Sequence, residues 1–89
     1  MKCEVVWMDQ KERTRKDVDK LWAIINIVDK LELSKKYPQL MEHARNYGND
    51  AEHFYKNGDY FTSFGAANYA YGFMDAILIL EGKRDQNIL

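Results

Sequence analysis

The chain contains three stretches in which apolar residues recur at helical spacing, separated by two short polar breaks. From Val18 onward, apolar residues fall three or four positions apart, which is the period of a helix with one buried face. Asp9 is a suitable N-cap residue, because its carboxylate can accept hydrogen bonds from the first free amides of a helix. The pattern therefore predicts helix 1 over residues 10–32, preceded by a short arm over residues 1–8.

The two breaks predict where the other helices begin and end. Pro38 lacks an amide hydrogen and is tolerated in the first turn of a helix, so helix 2 is predicted over residues 38–57. Gly58 suits the left-handed residue that ends a helix, and Asp59 suits the N-cap of the next. Helix 3 is predicted to follow at once, over residues 60–81.

Together these elements predict an all-α fold, a three-helix antiparallel bundle. The connection at Gly58 is so short that helices 2 and 3 must form a tight antiparallel hairpin. A length of 89 residues allows one domain, and a single proline with five glycines suits a few long elements. Residues 83–89 are predicted to form a tail beyond helix 3.

Composition excludes several classes of protein. A net charge of −1 disfavours a surface that grips a nucleic-acid backbone throughout. Cys3 is the single cysteine, which excludes an internal disulfide and a zinc site with several cysteines. Apolar runs are far shorter than the roughly 20 residues that cross a bilayer. We expect a cytoplasmic protein that uses no cofactor.

A set of aromatic, acidic and small residues recurs along helices 2 and 3: Tyr47, Asp50, Ala51, Phe54, Gly58, Asp59, Tyr60, Tyr69, Ala70, Gly72 and Asp75. In these residues the segment from Tyr47 to Asp75 resembles a family of short archaeal proteins, domain of unknown function number 357. The resemblance covers the C-terminal two-thirds of the chain. It implies a small antiparallel helical bundle and no established activity, so it transfers no catalytic residue. A single tetratricopeptide-type hairpin is also similar, but that repeat needs about three stacked copies.

Polar residues within helices 2 and 3 predict a buried polar cluster at the seam of the hairpin. Antiparallel pairing about Gly58 places Asp75 near Glu42 and His43, a combination that general acid–base chemistry uses. The structural alternative is a polar contact that fixes the register of the hairpin. The predicted cluster consists of His43, Tyr47, Asp50, Tyr69, Tyr71 and Asp75. A small hydrolase that uses His43 and Asp75 is the weaker functional alternative.

No metal site is predicted. His43 and His53 are ten residues apart, whereas metal sites in helical bundles use ligands three or four residues apart. A basic stretch at the start of helix 1 offers another alternative, an RNA- or nucleotide-associated accessory protein. That surface would consist of Lys11, Arg13, Arg15 and Lys16, which interleave with acidic residues in the manner of a solvated face.

The strongest signal is an excess of apolar residues on helices 1 and 3. Two neighbours in a bundle cover a stripe of each helix, so part of this excess should remain exposed and mark an interface. We therefore expect a non-enzymatic interaction or oligomerisation module, most simply a homodimer. The alternative cover is the arm, with Val5, Val6 and Trp7. The predicted interface consists of Trp22, Ile24, Ile27, Phe73, Ile77 and Leu80.

Overall fold

The computed structural model describes residues 9–84. Within them the chain forms three helices and no strand: α1 (Gln10–Lys30), α2 (Pro38–Lys56) and α3 (Tyr60–Leu80). This confirms the predicted all-α fold class. α1 ends two residues before its predicted end, and α2 and α3 each end one residue early. The predicted arm over 1–8 and the last five residues of the predicted tail lie outside the described residues.

Side-chain caps and left-handed residues set the ends of the helices. The carboxylates of Asp9 and Asp59 accept hydrogen bonds from the amides three residues further on, at 2.9 and 3.1 Å. Gly58, with a φ of 82°, ends α2 in the left-handed conformation that glycine adopts without a steric penalty. α1 ends in the same way at Glu32, with a φ of 62°. A side chain makes this conformation costly by about 1–2 kcal/mol, so a glutamate at position 32 does not indicate the end of a helix.

α2 and α3 pack closely because small residues line the seam between them. The hydroxyl of Ser63 donates a hydrogen bond to the carbonyl of Ala51 across the seam, at 2.7 Å. Both residues are fully buried, so this bond satisfies a polar group that would otherwise be costly to bury. The other buried small residues of the seam are Ala44, Ala67 and Ala70.

The large core side chains come mainly from α1 and from the far end of the hairpin. α1 packs against both α2 and α3, so it buries a wider arc than a helix with one neighbour. Tight packing of this core leaves little room for substitution. Its large buried residues are Val18, Leu21, Ile24, Ile25, Val28, Met41, Met74, Ile77 and Leu78.

Candidate interaction surface

The outer faces of α1 and α2 are those of ordinary solvated helices. α1 exposes mostly lysine, arginine, aspartate and glutamate. α2 exposes a mixture of charged and amide side chains with two histidines. Such faces are well hydrated and need no further cover.

α3 differs from both, because none of its exposed residues carries a charge. Four of its large apolar side chains are well exposed: Phe61 by 88%, Tyr69 by 55%, Ile79 by 60% and Leu80 by 71%. A helix that is apolar on all sides is normally covered on all sides. We define the outer face of α3 by its exposed residues, which are Phe61, Thr62, Phe64, Gly65, Asn68, Tyr69, Gly72, Ala76, Ile79 and Leu80.

Helical spacing explains how α3 acquires two apolar faces. Its inward positions recur at three- and four-residue intervals from Ser63 to Leu78. Most of the residues between them are apolar or small as well, with Thr62 and Asn68 as the exposed polar exceptions, so they form a second, largely apolar stripe that faces away from the bundle. Asp75 is the one charged residue of α3, and its carboxylate lies at the margin, where it accepts a hydrogen bond from Arg84.

Two glycines of the outer face have no function inside the protomer. A Cβ added at Gly65 or Gly72 would meet nothing within 4 Å. Glycine inside a helix costs about 0.5–1 kcal/mol relative to alanine, so both positions weaken α3 without improving its internal packing. Gly48 of α2 is different, because a Cβ there would lie 2.7 Å from two carbons of the Trp22 ring. The close neighbours of Gly48 are therefore side chains of α1.

The predicted interface is divided by the structure into core and surface. Ile24 and Ile77 are fully buried, so their expected exposure is wrong, and they belong to the core. Trp22, Ile27 and Phe73 are half-buried and pack against that core. Leu80 alone among the six is largely exposed, and it lies on the outer face of α3. Ile24 is buried because α1 packs against both of the other helices, and Ile77 is buried because it lies on the inward stripe of α3.

The predicted polar cluster is neither buried nor continuous. His43, Asp50 and Tyr69 are exposed, which corrects their expected burial. His43 and Tyr69 belong to an aromatic cluster along the outside of the hairpin, in which the Tyr69 ring lies 4.9 Å from that of Tyr47 and 4.7 Å from that of Phe73. His43 completes the cluster at 6.1 Å from Tyr47 and 6.0 Å from Phe73. These rings adjoin the outer face of α3 through Tyr69.

Tyr71 and Asp75 are turned toward other partners. The ammonium group of Lys20, on α1, lies 5.2 Å from the centre of the Tyr71 ring. Burial raises the pKa of the Tyr71 hydroxyl. Asp75 accepts its hydrogen bond from Arg84, whereas the ring contacts of His43 are with Tyr47 and Phe73. These contacts turn His43 and Asp75 toward different partners.

A polar network that the sequence did not reveal joins α1 to α2. Arg15 donates two hydrogen bonds to the carboxylate of Glu52, at 2.9 and 2.8 Å, and the indole N–H of Trp22 donates a third at 3.0 Å. The hydrogen bonds from Arg15 hold the pKa of Glu52 below its usual range, and the same pairing raises the pKa of Arg15. This network fixes the indole ring over Gly48.

The same network occupies one of the four residues of the predicted basic surface. Arg15 is bound to Glu52 and Asp19, and its guanidinium group lies 4.7 Å from the centre of the Tyr55 ring. Lys11, Arg13 and Lys16 are exposed among the acidic residues of α1. No feature of their arrangement favours binding of a nucleic acid over solvation.

Replacing Glu52 by glutamine is expected to lower the free energy of unfolding at neutral pH. It is also expected to reduce the amount by which that free energy falls in acid. The folded-state pKa of Glu52 lies below its ordinary value of 4.5, so the network contributes fully above that pH and is lost as pH falls through the lowered value. We expect a loss of about 1–2 kcal/mol at neutral pH, which shrinks in acid. Urea unfolding at neutral pH and near pH 3 measures both values.

Asp50→Asn, on the exposed face of the same helix, removes the same charge outside the network and is the matched control. It is expected to change stability by less than about 0.5 kcal/mol. A Glu52→Gln variant that loses the same free energy at both pH values would contradict the proposed origin of the effect.

Two further findings concern residues 9–84. None of their helices combines the length and apolar content that crossing a membrane requires. No three histidine, cysteine, aspartate or glutamate side chains in this part of the chain lie close enough together to bind a metal ion.

The comparison with known families matches residues 16–82 to the family described as Protein of unknown function (DUF357). The chain belongs to DUF357. The match covers all of α2 and α3 and most of α1, and it supports the resemblance drawn from Tyr47 to Asp75. An archaeal source remains an expectation from that resemblance. No curated protein and no solved structure matches the chain significantly. Membership in DUF357 therefore assigns no activity to this chain.

Proposed function

We propose that this protein is a non-enzymatic self-association module whose outer face of α3 binds a second copy of the chain. The observation that carries the proposal is the absence of charge from the exposed residues of α3, beside the charged outer faces of α1 and α2. Charged residues are depleted at the centres of protein interfaces, where aromatic residues are enriched. Phe61 and Tyr69 supply such aromatic residues here.

The apolar area supports a dimer of modest strength. The exposed parts of Phe61, Tyr69, Ile79 and Leu80 offer roughly 500 Å² per protomer, at the upper end of the patches found on monomers. Specific dimers bury about 600 Å² or more per partner, which the adjoining aromatic cluster can complete. We therefore expect a dissociation constant on the order of 10–100 μM rather than an obligate dimer.

A second copy fits this surface better than a charged partner does. An acidic or basic partner would have to desolvate its charges against a face that offers no opposite charge. A second α3 presents the same uncharged face, so neither protomer leaves a charge unpaired. The arm, which the sequence offered as an alternative cover, lies outside the described residues.

Sedimentation equilibrium from about 10 μM to about 1 mM tests the proposal. The average mass of the wild type is expected to rise above the protomer value of 10.5 kDa as concentration increases. Ile79→Glu places a charge within an apolar interface, so this variant is expected to remain at the protomer mass. Asn26→Glu adds the same charge on the exposed face of α1 and should associate like the wild type.

A wild type that stays at 10.5 kDa at every concentration would refute the proposal. If the Ile79→Glu variant associates as strongly as the wild type, the contact lies on another surface. That result would also refute the proposal.

A further inference from the structure

We infer that the two α3 helices of the dimer pack antiparallel about a two-fold axis. The axis lies beside α3, level with the peptide bond between Ala70 and Tyr71. The inference rests on the proposed function and adds the geometry of the pair. A two-fold interface brings the same patch of both protomers together, so the patch must be complementary to itself. The outer face of α3 is complementary to itself when the two helices run in opposite directions.

Four pairs of residues on the outer face lie at equal distances on either side of this axis, and one of them joins the polar Thr62 to Ile79. In an antiparallel pair, Phe61 of one protomer faces Leu80 of its partner, Gly65 faces Ala76, and Tyr69 faces Gly72. α3 is about 31 Å long, so these contacts span nearly its whole length.

The sizes of the paired residues fit the spacing of two crossed helices. In the pair nearest the axis, each Tyr69 ring covers the glycine at position 72 of the other protomer, and about halfway to the helix ends Gly65 and Ala76 let the backbones approach closely. Helices that cross at an angle separate toward their ends, where the pair of large side chains, Phe61 and Leu80, fills the wider gap. The open space around Gly65 and Gly72 in the protomer is the space that the partner helix would occupy.

A parallel pair does not fit in this way. Each residue would face its own copy, so two Tyr69 rings would meet between the two pairs of glycines. The rings would hold the backbones apart where the glycines permit contact, and the cost of Gly65 and Gly72 to helix stability would bring no packing in return.

Cross-linking between engineered cysteines distinguishes these arrangements. Phe61→Cys and Leu80→Cys are made separately in full-length Cys3→Ser chains, so that each carries one thiol and both glycines are unchanged. A bis-maleimide with an arm well under 28 Å is added to each variant alone and to their equimolar mixture, above the dissociation constant. In the antiparallel pair, each position is about 28 Å along the helix from its own copy but close to the other position.

The inference predicts cross-linked dimers in the mixture, at least tenfold more than in either variant alone. Asn26→Cys, on the exposed face of α1, measures chance collisions and should give only the background yield. Cross-linking of each single variant with itself would overturn the antiparallel geometry in favour of the parallel one. Background yields throughout, in samples that sediment as dimers, would overturn it in favour of another surface.

Sedimentation of the Cys3→Ser parent, which keeps Phe61 and Leu80, and of the cysteine variants separates the two ideas. If the parent sediments as a protomer at every concentration, the proposed self-association fails and the geometry fails with it. If the cysteine variants associate with the wrong pattern of cross-links, the geometry alone fails.

Discussion

Ile77→Glu is expected to prevent the protein from folding. Ile77 is fully buried in the core, beside Met74 and Leu78 of the same helix. A carboxylate there would be buried without a partner, at a cost of about 4 kcal/mol or more. A domain of this size has only about 4–13 kcal/mol of total stability, so most or all of it would be lost.

Ile79→Glu is the matched control, because it makes the same substitution two residues further along α3 at a position that is 60% exposed. The protomer should keep its fold and lose only self-association. Far-UV circular dichroism and urea unfolding measure both variants at a concentration where the wild type is dissociated. An Ile77→Glu variant with a wild-type unfolding midpoint would contradict the assignment of Ile77 to the core.

Gly48→Ala is expected to destabilise the fold by about 1–3 kcal/mol, although alanine is the better helix former. Its Cβ would lie 2.7 Å from two carbons of the Trp22 ring and 3.3 Å from a methyl carbon of Leu21. The indole cannot move aside freely, because its N–H is bonded to Glu52, which also holds Arg15. Either the ring shifts and this bond is strained, or α1 moves away from α2.

Gly65→Ala and Gly72→Ala provide the contrast, since their added methyl groups meet open space in the protomer. Each should stabilise the dissociated protein by about 0.5–1 kcal/mol, and each should weaken self-association. Urea unfolding gives the stabilities, and fluorescence in a Trp7→Phe background reports on Trp22 alone. A Gly48→Ala variant that is more stable than the wild type, with unchanged Trp22 emission, would contradict the packing described here.

The fold could be predicted from the sequence because each signal was local. Asp9, Pro38, Gly58 and Asp59 each mark a helix end by their own chemistry, and the structure places helix ends beside all four. The end of α1 was missed because Glu32 adopts a left-handed conformation that its residue type does not favour. The amides of Glu32 and Leu33 donate hydrogen bonds to the carbonyls of Asp29 and Val28 in the last turn of α1, a closure that a glutamate at position 32 does not indicate.

The candidate surface could be predicted only in part, because register does not fix the direction of a side chain. Antiparallel pairing about Gly58 predicts that His43 lies near Asp75. His43 does contact Phe73, which is two residues from Asp75 along α3. Asp75 itself contacts Arg84, away from those aromatic rings. Helical rotation, rather than distance along the hairpin, separates the two residues.

The apolar excess was a sound signal on α3 and a misleading one on α1. Counting apolar residues assumes that each helix hides one stripe. α1 contacts both of the other helices and hides more, including Ile24 and much of Trp22. α3 also contacts both of the other helices, but its second stripe faces away from them, as the exposure of Ile79 and Leu80 shows.

The most direct test of a self-associating α3 is a series of ¹H–¹⁵N correlation spectra recorded as the full-length protein is diluted across its dissociation constant. The amide signals that move with concentration identify the residues whose surroundings change on association. The account predicts that these shifts concentrate on the outer face of α3, from Phe61 to Leu80, with Gly65 and Gly72 among the largest. Spectra that do not change with concentration, or shifts confined to the charged face of α1, would contradict it.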